Sequence, residues 1–476
     1  MISDLHLGED LKPSNTHVTF LRHIARLERE LEAFLAYHTR NRLDGRPWRL
    51  VVNGDMVDFM SIMILPEPGS ASVEEEQFGL GHGEAQSAAK LARVFERHPG
   101  VFRRLGEFVQ AGNELVVIVG NHDVEFFYPD VQRCFIDRLT LLALEAAAPA
   151  DDRSAAGPLQ AESEPPAATE RRIRDSIRFC PWFYYEENVV YVEHGHQYDQ
   201  CCSFDYQLYP VEPVRGVTLS IAHACVRYFS NLVPTLDPHC GETWGFMDYM
   251  KWASAHGMRS ITRIFQLYGF LIWKTLEIWS QLTDRKSDQK RSERHRRSLT
   301  ELAERYQIAV DKLEALDGLR CPPVLKALFP ILSTLFLDRM LVGVLATLGA
   351  TLALAVAPGW HRKLVMAVGL MGVGVLANWF LGKKRALPSP QALRRVPEAI
   401  WRIMRAPFIV LGHSHAIERI ELAGGGIYFN TGTWADTVGS DFPHLVIRPA
   451  TAAPEAELRI WRDGASAPWD LGKRSR

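Results

Sequence analysis

Short apolar runs alternate with amphipathic segments along the first 200 residues. Apolar side chains in residues 20–37 recur every three or four positions, which predicts an amphipathic helix, and residues 86–110 predict another with one break. Apolar runs at 50–52, 115–119 and 189–192 predict strands. The alternation predicts an α/β fold whose polar motifs follow the carboxyl ends of the strands, where open α/β sheets place their ligands.

Two longer apolar runs occupy residues 340–357 and 364–381. Each has 18 residues without a formal charge, and 18 helical residues rise about 27 Å, close to the ~30 Å hydrocarbon core of a bilayer. Trp360 and Trp379 lie near the run ends, where membrane proteins carry aromatic belts. We therefore expect a two-helix transmembrane hairpin over 340–382, with a buried helical hairpin or a dimer interface as the alternatives.

Positive charge on both flanks of this hairpin indicates its orientation. Arg339 precedes it and residues 383–385 are all basic, whereas its short loop carries Arg362 and Lys363. The positive-inside rule then places both flanks, and the regions of the chain on either side of the hairpin with them, in the cytoplasm.

Composition suggests the remaining organisation. Residues 147–170 are rich in Ala, Pro, Asp, Glu and Ser, which predicts a disordered insert. The other expected parts are a core in three pieces (1–146, 171–200 and 383–476) and a helical insert or cap (201–339). Within the insert, residues 284–297 carry seven Lys or Arg against three Asp or Glu, which indicates a solvated helix face or contact with anionic lipid or substrate.

The overall balance of residues narrows the class of protein. The chain has 476 residues, of which 47% are hydrophobic, and a formal net charge of −2. It can therefore bury a large core, and its near-neutral charge disfavours nucleic acid as a partner. The seven cysteines show no C-x-x-C spacing, so we expect a reduced protein without a zinc ribbon. Only three residues precede the first polar motif, so no signal peptide is expected unless the natural chain begins upstream.

Five polar motifs follow predicted strand ends. They are Asp4-Leu5-His6, Gly54-Asp55-Met56-Val57-Asp58, Gly120-Asn121-His122-Asp123, Glu193-His194-Gly195-His196 and Gly412-His413-Ser414-His415. Residues at i and i+2 of a strand share a face, so two side chains of one motif can enter the same cavity. Each motif alone is compatible with a turn or a polar surface, but the set together indicates a site for divalent metal ions.

This order of motifs resembles the calcineurin-like metallophosphoesterase superfamily. The resemblance covers about residues 1–130, 185–200 and 405–437, and it implies a β-sandwich flanked by helices (αββα) with two metal ions at one face. It implies that the first ion is held by Asp4, His6, Asp55 and His415. It implies that the second ion is held by Asp55, Asn121, His194 and His413, with Asp55 as the bridge.

The resemblance also assigns roles around the ligands. His122 is similar to the family's histidine that binds phosphate and protonates the leaving oxygen, with Asp123 as the residue that orients it. His196 is the alternative to His194 as a ligand, because the glycine between them leaves the ring geometry open. Asp58 is expected to support the turn or to stand behind the ligands.

Such a metal pair supports one kind of chemistry. Two cations ~3.5–4 Å apart lower the pKa of a shared water, so that hydroxide attacks phosphorus in line. Mixed Asp, Asn and His ligation suits Mn²⁺, with Fe or Zn²⁺ as alternatives. The expected function is hydrolysis of a phosphoester or pyrophosphate bond in a phosphorylated small molecule or lipid-linked substrate at a membrane. A metal-dependent nuclease and a non-catalytic membrane scaffold are the alternatives.

One branch of the superfamily is closer in motif style than the rest. Residues 193–199 and 54–59 look like the branch of UDP-2,3-diacylglucosamine pyrophosphohydrolases, whose helical cap holds acyl chains. Residues 264–282 are a candidate for such a cap helix. The alternative is that they form a core helix of the insert. That branch typically has Gly-Asn-Arg-Asp where this chain has Gly-Asn-His-Asp, and it lacks a long apolar hairpin. The substrate therefore stays open at this stage.

Overall fold

The structure is a computed structural model that describes residues 1–12, 18–147, 166–212, 216–233, 251, 254–255, 258–383, 390–435, 441–448 and 453–470. Its strands in these ranges are β1 (Arg49–Asn53), β2 (Glu114–Ile118), β3 (Ile177–Cys180), β4 (Phe183–Glu186), β5 (Val190–Glu193), β6 (Val211–Glu212), β7 (Gly216–Val217), β8 (Phe408–Leu411), β9 (Ile417–Glu421), β10 (Ile427–Thr431), β11 (Phe442–Arg448), β12 (Glu455–Arg462) and β13 (Ala465–Pro468). The α-helices are Val18–Arg40, Val73–Phe78, Glu84–Arg97, Pro99–Gln110, Pro129–Ala147, Pro166–Asp175, Ile221–Tyr228, Met258–Leu282, Arg285–Tyr306, Val310–Asp317, Leu328–Thr334, Leu337–Val356, Trp360–Lys383 and Pro390–Met404.

The predicted alternation of strands and helices is confirmed as a mixed α/β fold. The three predicted strands correspond to β1, β2 and β5, and the predicted break in the second helix falls between Glu84–Arg97 and Pro99–Gln110. The residue at this break, His98, precedes a proline at the first helical position, where proline needs no backbone hydrogen bond.

Two of the sheets bring the polar motifs to the same region. β1, β2 and β3 form a parallel sheet, and Ile2 extends it through one parallel bridge to Val52. The second sheet has the order β4-β5-β8-β10-β9, in which β5 and β10 each run parallel to β8. Since parallel neighbours end at the same edge, the residues that follow β5 and β8 become neighbours although they are far apart in sequence.

Alternate side chains of the strands enter different hydrophobic clusters. Val51 of β1 belongs to one buried cluster with Val192 of β5 and Val410 of β8. Val52, the next residue of β1, belongs to another cluster with Leu31 of the Val18–Arg40 helix. Successive side chains of a strand point to opposite faces, so one face of the parallel sheet packs on the second sheet and the other face packs on helices.

The predicted disordered insert is partly wrong. Residues 148–165 lie outside the described residues, but Ala147 ends one helix and Pro166–Asp175 forms the next. The later helix is ordered by tertiary contacts that composition does not reveal. Ile173 is fully buried in a core cluster, and the Arg174 guanidinium lies 2.6 Å from the Asp137 carboxylate.

The predicted apolar hairpin consists of Leu337–Val356 and Trp360–Lys383, whose ends differ from those of the predicted runs by one to four residues. Both helices are long and apolar enough to cross a membrane, and only 11% of the apolar window of each is buried within the protein. The helices approach closely at small residues, because a Cβ atom on Gly374 would lie 2.6 Å from the Ala346 side chain. This exposure differs from the buried hairpin that the sequence left open.

Candidate metal centre

Backbone hydrogen bonds join the loops that carry the predicted ligands. The amides of Leu5 and His6 donate to the Asp55 carbonyl at 3.0 and 2.9 Å. The Gly412 amide donates to the His194 carbonyl at 2.9 Å, and the Trp434 amide donates to the Asp4 carbonyl at 3.2 Å. Loops from both sheets are thereby fixed around one cavity.

Three of the predicted ligands of the first ion lie together. Asp4, His6 and His415 each offer a ligand atom within 4.8 Å of the others. Nε2 of His415 lies 3.3 Å from Oδ1 of Asp4, and Nε2 of His6 lies 4.0 Å from the same oxygen. The other Asp4 oxygen accepts hydrogen bonds from the Ser3 hydroxyl and, at 3.3 Å, from the His413 amide. These two hydrogen bonds to Oδ2 hold the Asp4 carboxylate so that Oδ1 faces the two imidazoles.

The predicted ligands of the second ion form an adjoining group. Asp55, His194 and His413 offer ligand atoms within 4.8 Å of one another. Nδ1 of His194 lies 2.8 Å from the Asn53 carbonyl, to which it must donate, so Nε2 faces the cavity. That Nε2 lies 3.1 Å from Oδ2 of Asp55 and 3.1 Å from Oδ1 of Asn121. All four predicted ligands are therefore in one place.

Asp55 lies between the two groups. Its Oδ2 is 3.9 Å from Nε2 of His6 and 3.1 Å from Nε2 of His194. Its Oδ1 accepts the His122 amide at 2.8 Å, which fixes the carboxylate plane. This is the position that a bridging carboxylate needs.

The donor groups could hold metal ions. Two ligand atoms bound at 2.0–2.2 Å to one ion in tetrahedral or octahedral geometry stand about 3.0–3.4 Å apart, as the closest pairs around Asp4 and His194 do. Without positive charge, the Nε2 lone pair of His194 would face two oxygen acceptors. Burial alone lowers the pKa of His194, but the carboxylates of Asp55 and Asp4 raise it to about 9. The cavity therefore favours a cation at this point.

The backbone of the ligands is strained. Asp4, His6, Asp55, His413 and His415 have φ values of 55°, 47°, 53°, 64° and 57°. A left-handed conformation costs a non-glycine residue about 1–3 kcal/mol, and such residues cluster at functional sites where the surroundings enforce them. Five of the seven predicted metal ligands carry this cost, which indicates that the fold maintains their directions for a purpose other than stability.

Three glycines leave room for the ligands. A Cβ atom on Gly54 would lie 2.2 Å from Nδ1 of His194, and one on Gly120 would lie 2.1 Å from Oδ1 of Asp55. A Cβ on Gly412 would lie 2.3 Å from the Ser3 hydroxyl. The glycines of these motifs therefore allow a close approach of backbone to ligand.

The prediction that Asp123 orients His122 is wrong. The Asp123 carboxylate accepts backbone N–H bonds from Gly120 at 2.6 Å and Met56 at 2.8 Å, so it joins two motif loops. Asp58 instead holds His122, with its Oδ1 2.8 Å from Nδ1 of the ring. Burial alone lowers the pKa of His122, but the carboxylates of Asp58 and Asp55 raise it to about 10. The expected place of Asp58 behind the ligands is met through this contact.

His196, the alternative ligand, is not among the candidate metal groups of the described residues. Its ring centroid lies 5.6 Å from that of His194, and burial lowers its pKa well below the ordinary value. Gly195 between them has φ 103°, which turns the chain after His194. The two histidines consequently face different surroundings, and His194 occupies the cavity.

Two carboxylates near the site were missed by reasoning from sequence. Oδ2 of Asp199 lies 3.2 Å from Nε2 of His413, and Asp199, Cys202 and His413 form a further candidate metal group. The buried Glu193 carboxylate accepts hydrogen bonds from four side chains, namely Trp182, Tyr191, Gln197 and Tyr198. The signals were present, because Glu193 begins the fourth motif and Asp199 ends the segment 193–199 that resembles one branch of the superfamily, but neither carboxylate was given a role.

No protein-family model, curated protein or solved structure matches this chain. The geometry of the cavity is therefore the basis on which a function is assigned.

Proposed function

We propose that this protein is a dinuclear metal-dependent hydrolase of phosphoester or pyrophosphate bonds, of the calcineurin-like metallophosphoesterase type. The observation that carries the proposal is the position of Asp55, whose Oδ2 lies within 4 Å of an imidazole nitrogen of each ligand group. A structural turn has no need of a carboxylate shared in this way. The assignment of Mn²⁺, with Fe or Zn²⁺ as alternatives, belongs to the same proposal and follows from the Asp, Asn and His donors.

The packing of the core supports the αββα sandwich that this family would require. One cluster joins β1 and β2 to β5, β8 and β10, while the outer faces of both sheets belong to clusters that include helical residues. In this arrangement the loops after β1, β2, β5 and β8 meet at one end of the two sheets. The catalytic loops would then be supported from behind by the hydrophobic contact between the sheets.

The residues of the cavity suit phosphate hydrolysis. When bound, the two ions would lower the pKa of water and neutralise phosphate oxygens. His122 packs edge-on against His6, with ring centroids 4.4 Å apart, and its Nδ1 is engaged by Asp58. Its Nε2 is therefore the nitrogen available to hydrogen-bond a phosphate oxygen and to donate a proton to the leaving oxygen. With 19% of its side chain exposed, His122 can reach a substrate from solvent.

The exposed apolar hairpin supports a membrane location. Lys383 lies over the Trp379 ring at 3.8 Å, an arrangement suited to a membrane interface. Both flanks of the hairpin return to the same domain, so the hairpin would cross the membrane twice, and the basic residues Arg339 and Lys383 on these flanks favour the cytoplasmic side for that domain. The substrate proposed is accordingly a membrane-associated or lipid-linked phosphate.

Turnover of bis(p-nitrophenyl) phosphate by the detergent-solubilised full chain, with added Mn²⁺, tests the proposal. We expect hydrolysis by the wild type and none above background by Asp55→Asn, because the variant loses the charge shared by the two ligand groups. Asn is chosen because it tolerates a left-handed backbone. The matched control is Asp463→Asn, since Asp463 also has a positive φ, 51°, but lies in the turn between β12 and β13.

The outcomes separate this function from its alternatives. Lack of turnover by the wild type with Mn²⁺, Fe²⁺ and Zn²⁺ would make the chain a scaffold and refute the proposal. Activity that survives in Asp55→Asn at the wild-type level would place the chemistry elsewhere. Cleavage of DNA together with steeply salt-dependent DNA binding would favour the nuclease.

A further inference from the structure

The Met258–Leu282 helix leaves one face uncovered along most of its length. The exposed positions on this face, hereafter the exposed stripe, are Thr262, Phe265, Gln266, Gly269, Trp273, Leu276 and Ser280. Their spacing of three or four places them on one side of the helix. None of them carries a formal charge, in a chain that is 23% charged. A solvated helix face of this length would ordinarily carry several charges.

Large apolar side chains protrude from the exposed stripe. Phe265 is 58% exposed, Trp273 is 56% exposed and Leu276 is 36% exposed. The opposite side of the helix is buried, with Leu267 and Leu271 in a hydrophobic cluster of the insert. The helix therefore already has a side that packs on the core. The exposed stripe is a second apolar surface, which the described part of the protein does not cover.

The base of the apolar hairpin fixes where this surface lies. The Tyr268 hydroxyl donates to the Leu335 carbonyl, two residues before the Leu337–Val356 helix begins. Tyr268 is near the middle of its own helix, and with a rise of 1.5 Å per residue Phe265 and Trp273 lie about 4.5 and 7.5 Å from it along the axis. Ile331 and Leu335 share the buried cluster of Leu267 and Leu271, so the two elements are packed together.

Cationic groups border the exposed stripe. Arg263, next to Thr262 in sequence, is exposed. Nζ of Lys274 lies 4.8 Å from the centre of the Trp273 ring, with its charge paired to the Glu277 carboxylate at 3.0 Å. Aromatic side chains with cations beside them are typical of helices that lie in the interface of a bilayer with anionic lipid.

We propose that the exposed stripe lies in the interface of the same bilayer that the hairpin crosses, with Phe265, Trp273 and Leu276 among the lipid headgroups and upper acyl chains. The occupant of this face is thus a lipid surface. The inference rests on the proposed membrane insertion of the hairpin, and it does not depend on hydrolysis. According to this proposal, the helical insert itself contacts the bilayer surface, as well as the hairpin that crosses the bilayer.

The contacts behind the helix connect this surface to the segment around Gly79 and Leu80. Lys274 also pairs with Glu74 at 2.5 Å, and Glu74 accepts the Tyr228 hydroxyl at 2.7 Å. Arg227, on the same helix as Tyr228, donates to the carbonyls of Leu80 and Gly79. A helix seated on the bilayer would therefore hold the insert and the adjacent loops at a fixed height above the lipid.

Quenching of tryptophan emission by brominated lipid tests this position. The full chain is placed in nanodiscs of phosphatidylcholine and phosphatidylglycerol, with or without bromine on the upper acyl chain. The emission of Trp273 is the difference between the wild type and Trp273→Phe. Because Phe is apolar and the position is exposed, the variant keeps its fold. The emission of Trp379, in the hairpin, is obtained in the same way from Trp379→Phe. The emission of Trp48, beside β1, is obtained from Trp48→Phe.

We expect brominated lipid to quench the emission of Trp273 and of Trp379 to a similar extent, and to leave that of Trp48 unchanged. The proposal is overturned if Trp273 is quenched by aqueous iodide and not by brominated lipid, since the stripe is then in water. It is also overturned if neither agent quenches Trp273, since protein then covers it. If Trp379 also escapes the lipid quencher, the membrane hairpin itself fails and the inference falls with it.

Discussion

Replacement of Gly54 by alanine tests the packing that holds the second ligand group. Gly54 has φ +80°, and an added Cβ would lie 2.2 Å from Nδ1 and 2.8 Å from Cβ of His194. The imidazole is fixed on that side by its hydrogen bond to the Asn53 carbonyl, at 2.8 Å. The methyl group can be accommodated only if His194 moves away from Asp55 and Asn121.

Two costs can be separated for this substitution. The left-handed backbone costs an alanine about 1–2 kcal/mol. Overpacking against a buried ring adds about 1–3 kcal/mol, so the total loss in the free energy of unfolding is about 2–5 kcal/mol. Gly464 is a matched control, because it has φ +78° and nothing lies within 4 Å of its added Cβ. Gly464→Ala should show the backbone cost alone.

Thermal unfolding and metal content of the detergent-solubilised full chain provide the assay. We expect Gly54→Ala to be less stable than Gly464→Ala and to retain fewer equivalents of Mn²⁺ after gel filtration, whereas Gly464→Ala keeps the wild-type metal content. If Gly54→Ala matches Gly464→Ala in stability and binds metal like the wild type, the assignment of His194 to the cavity is refuted.

Two further predictions concern Asp199 and a pair of histidines remote from the cavity. Asp199→Asn should weaken Mn²⁺ binding about 10–100-fold, as expected for a carboxylate that orients a ligating histidine, whereas the control Asp44→Asn, at an exposed turn, should leave it unchanged. Competition with a chelator measures the Mn²⁺ affinity of both variants. Equal affinities would exclude an orienting role for Asp199. Burial lowers the pKa of His38 to about 4, and burial, followed by nearby positive charge, lowers that of His444 to about 3. Since both folded-state values lie below the unfolded value of about 6.5, the neutral rings favour the folded state above pH 6.5, and this stability is lost as pH falls toward 4 and 3. Between pH 6.5 and 5 the loss is about 1.5 kcal/mol for each ring, so replacement of both by Gln should flatten the fall in unfolding temperature over this interval. An unchanged slope would contradict the burial argument.

Local pattern was sufficient for the α/β class, for several elements and for the types of donor atom. The strand at Arg49–Asn53 and the helix at Val18–Arg40 match the predicted segments, because the spacing of apolar side chains that marks a strand or a helix involves only residues close together in sequence. The hairpin follows from the length of its apolar runs. The helix at Pro166–Asp175 was missed because its order depends on burial of Ile173 against distant residues.

The roles of individual polar side chains depended on contacts between remote loops. Asp123 follows His122 directly in sequence, whereas Asp58 belongs to another motif, and only the tertiary structure places the Asp58 carboxylate on the ring and the Asp123 carboxylate on two backbone amides. The same holds for Asp199, which reaches His413 from a different segment of the chain. Such pairings are set by side-chain rotamers and by which loops lie side by side.

The sequence by itself determined several strands and helices, the apolar hairpin and the presence of Asp, Asn and His donors in the polar motifs. The tertiary structure decided which donors share a cavity. It places His194 and His413 side by side because β5 and β8 are parallel neighbours, and it places Asp55 between them and His6. It also holds Asp4, His6, Asp55, His413 and His415 in left-handed conformations that no local preference favours. The physical reason is that hydrophobic periodicity is a local property, whereas convergence of ligands requires the register of strands that are hundreds of residues apart.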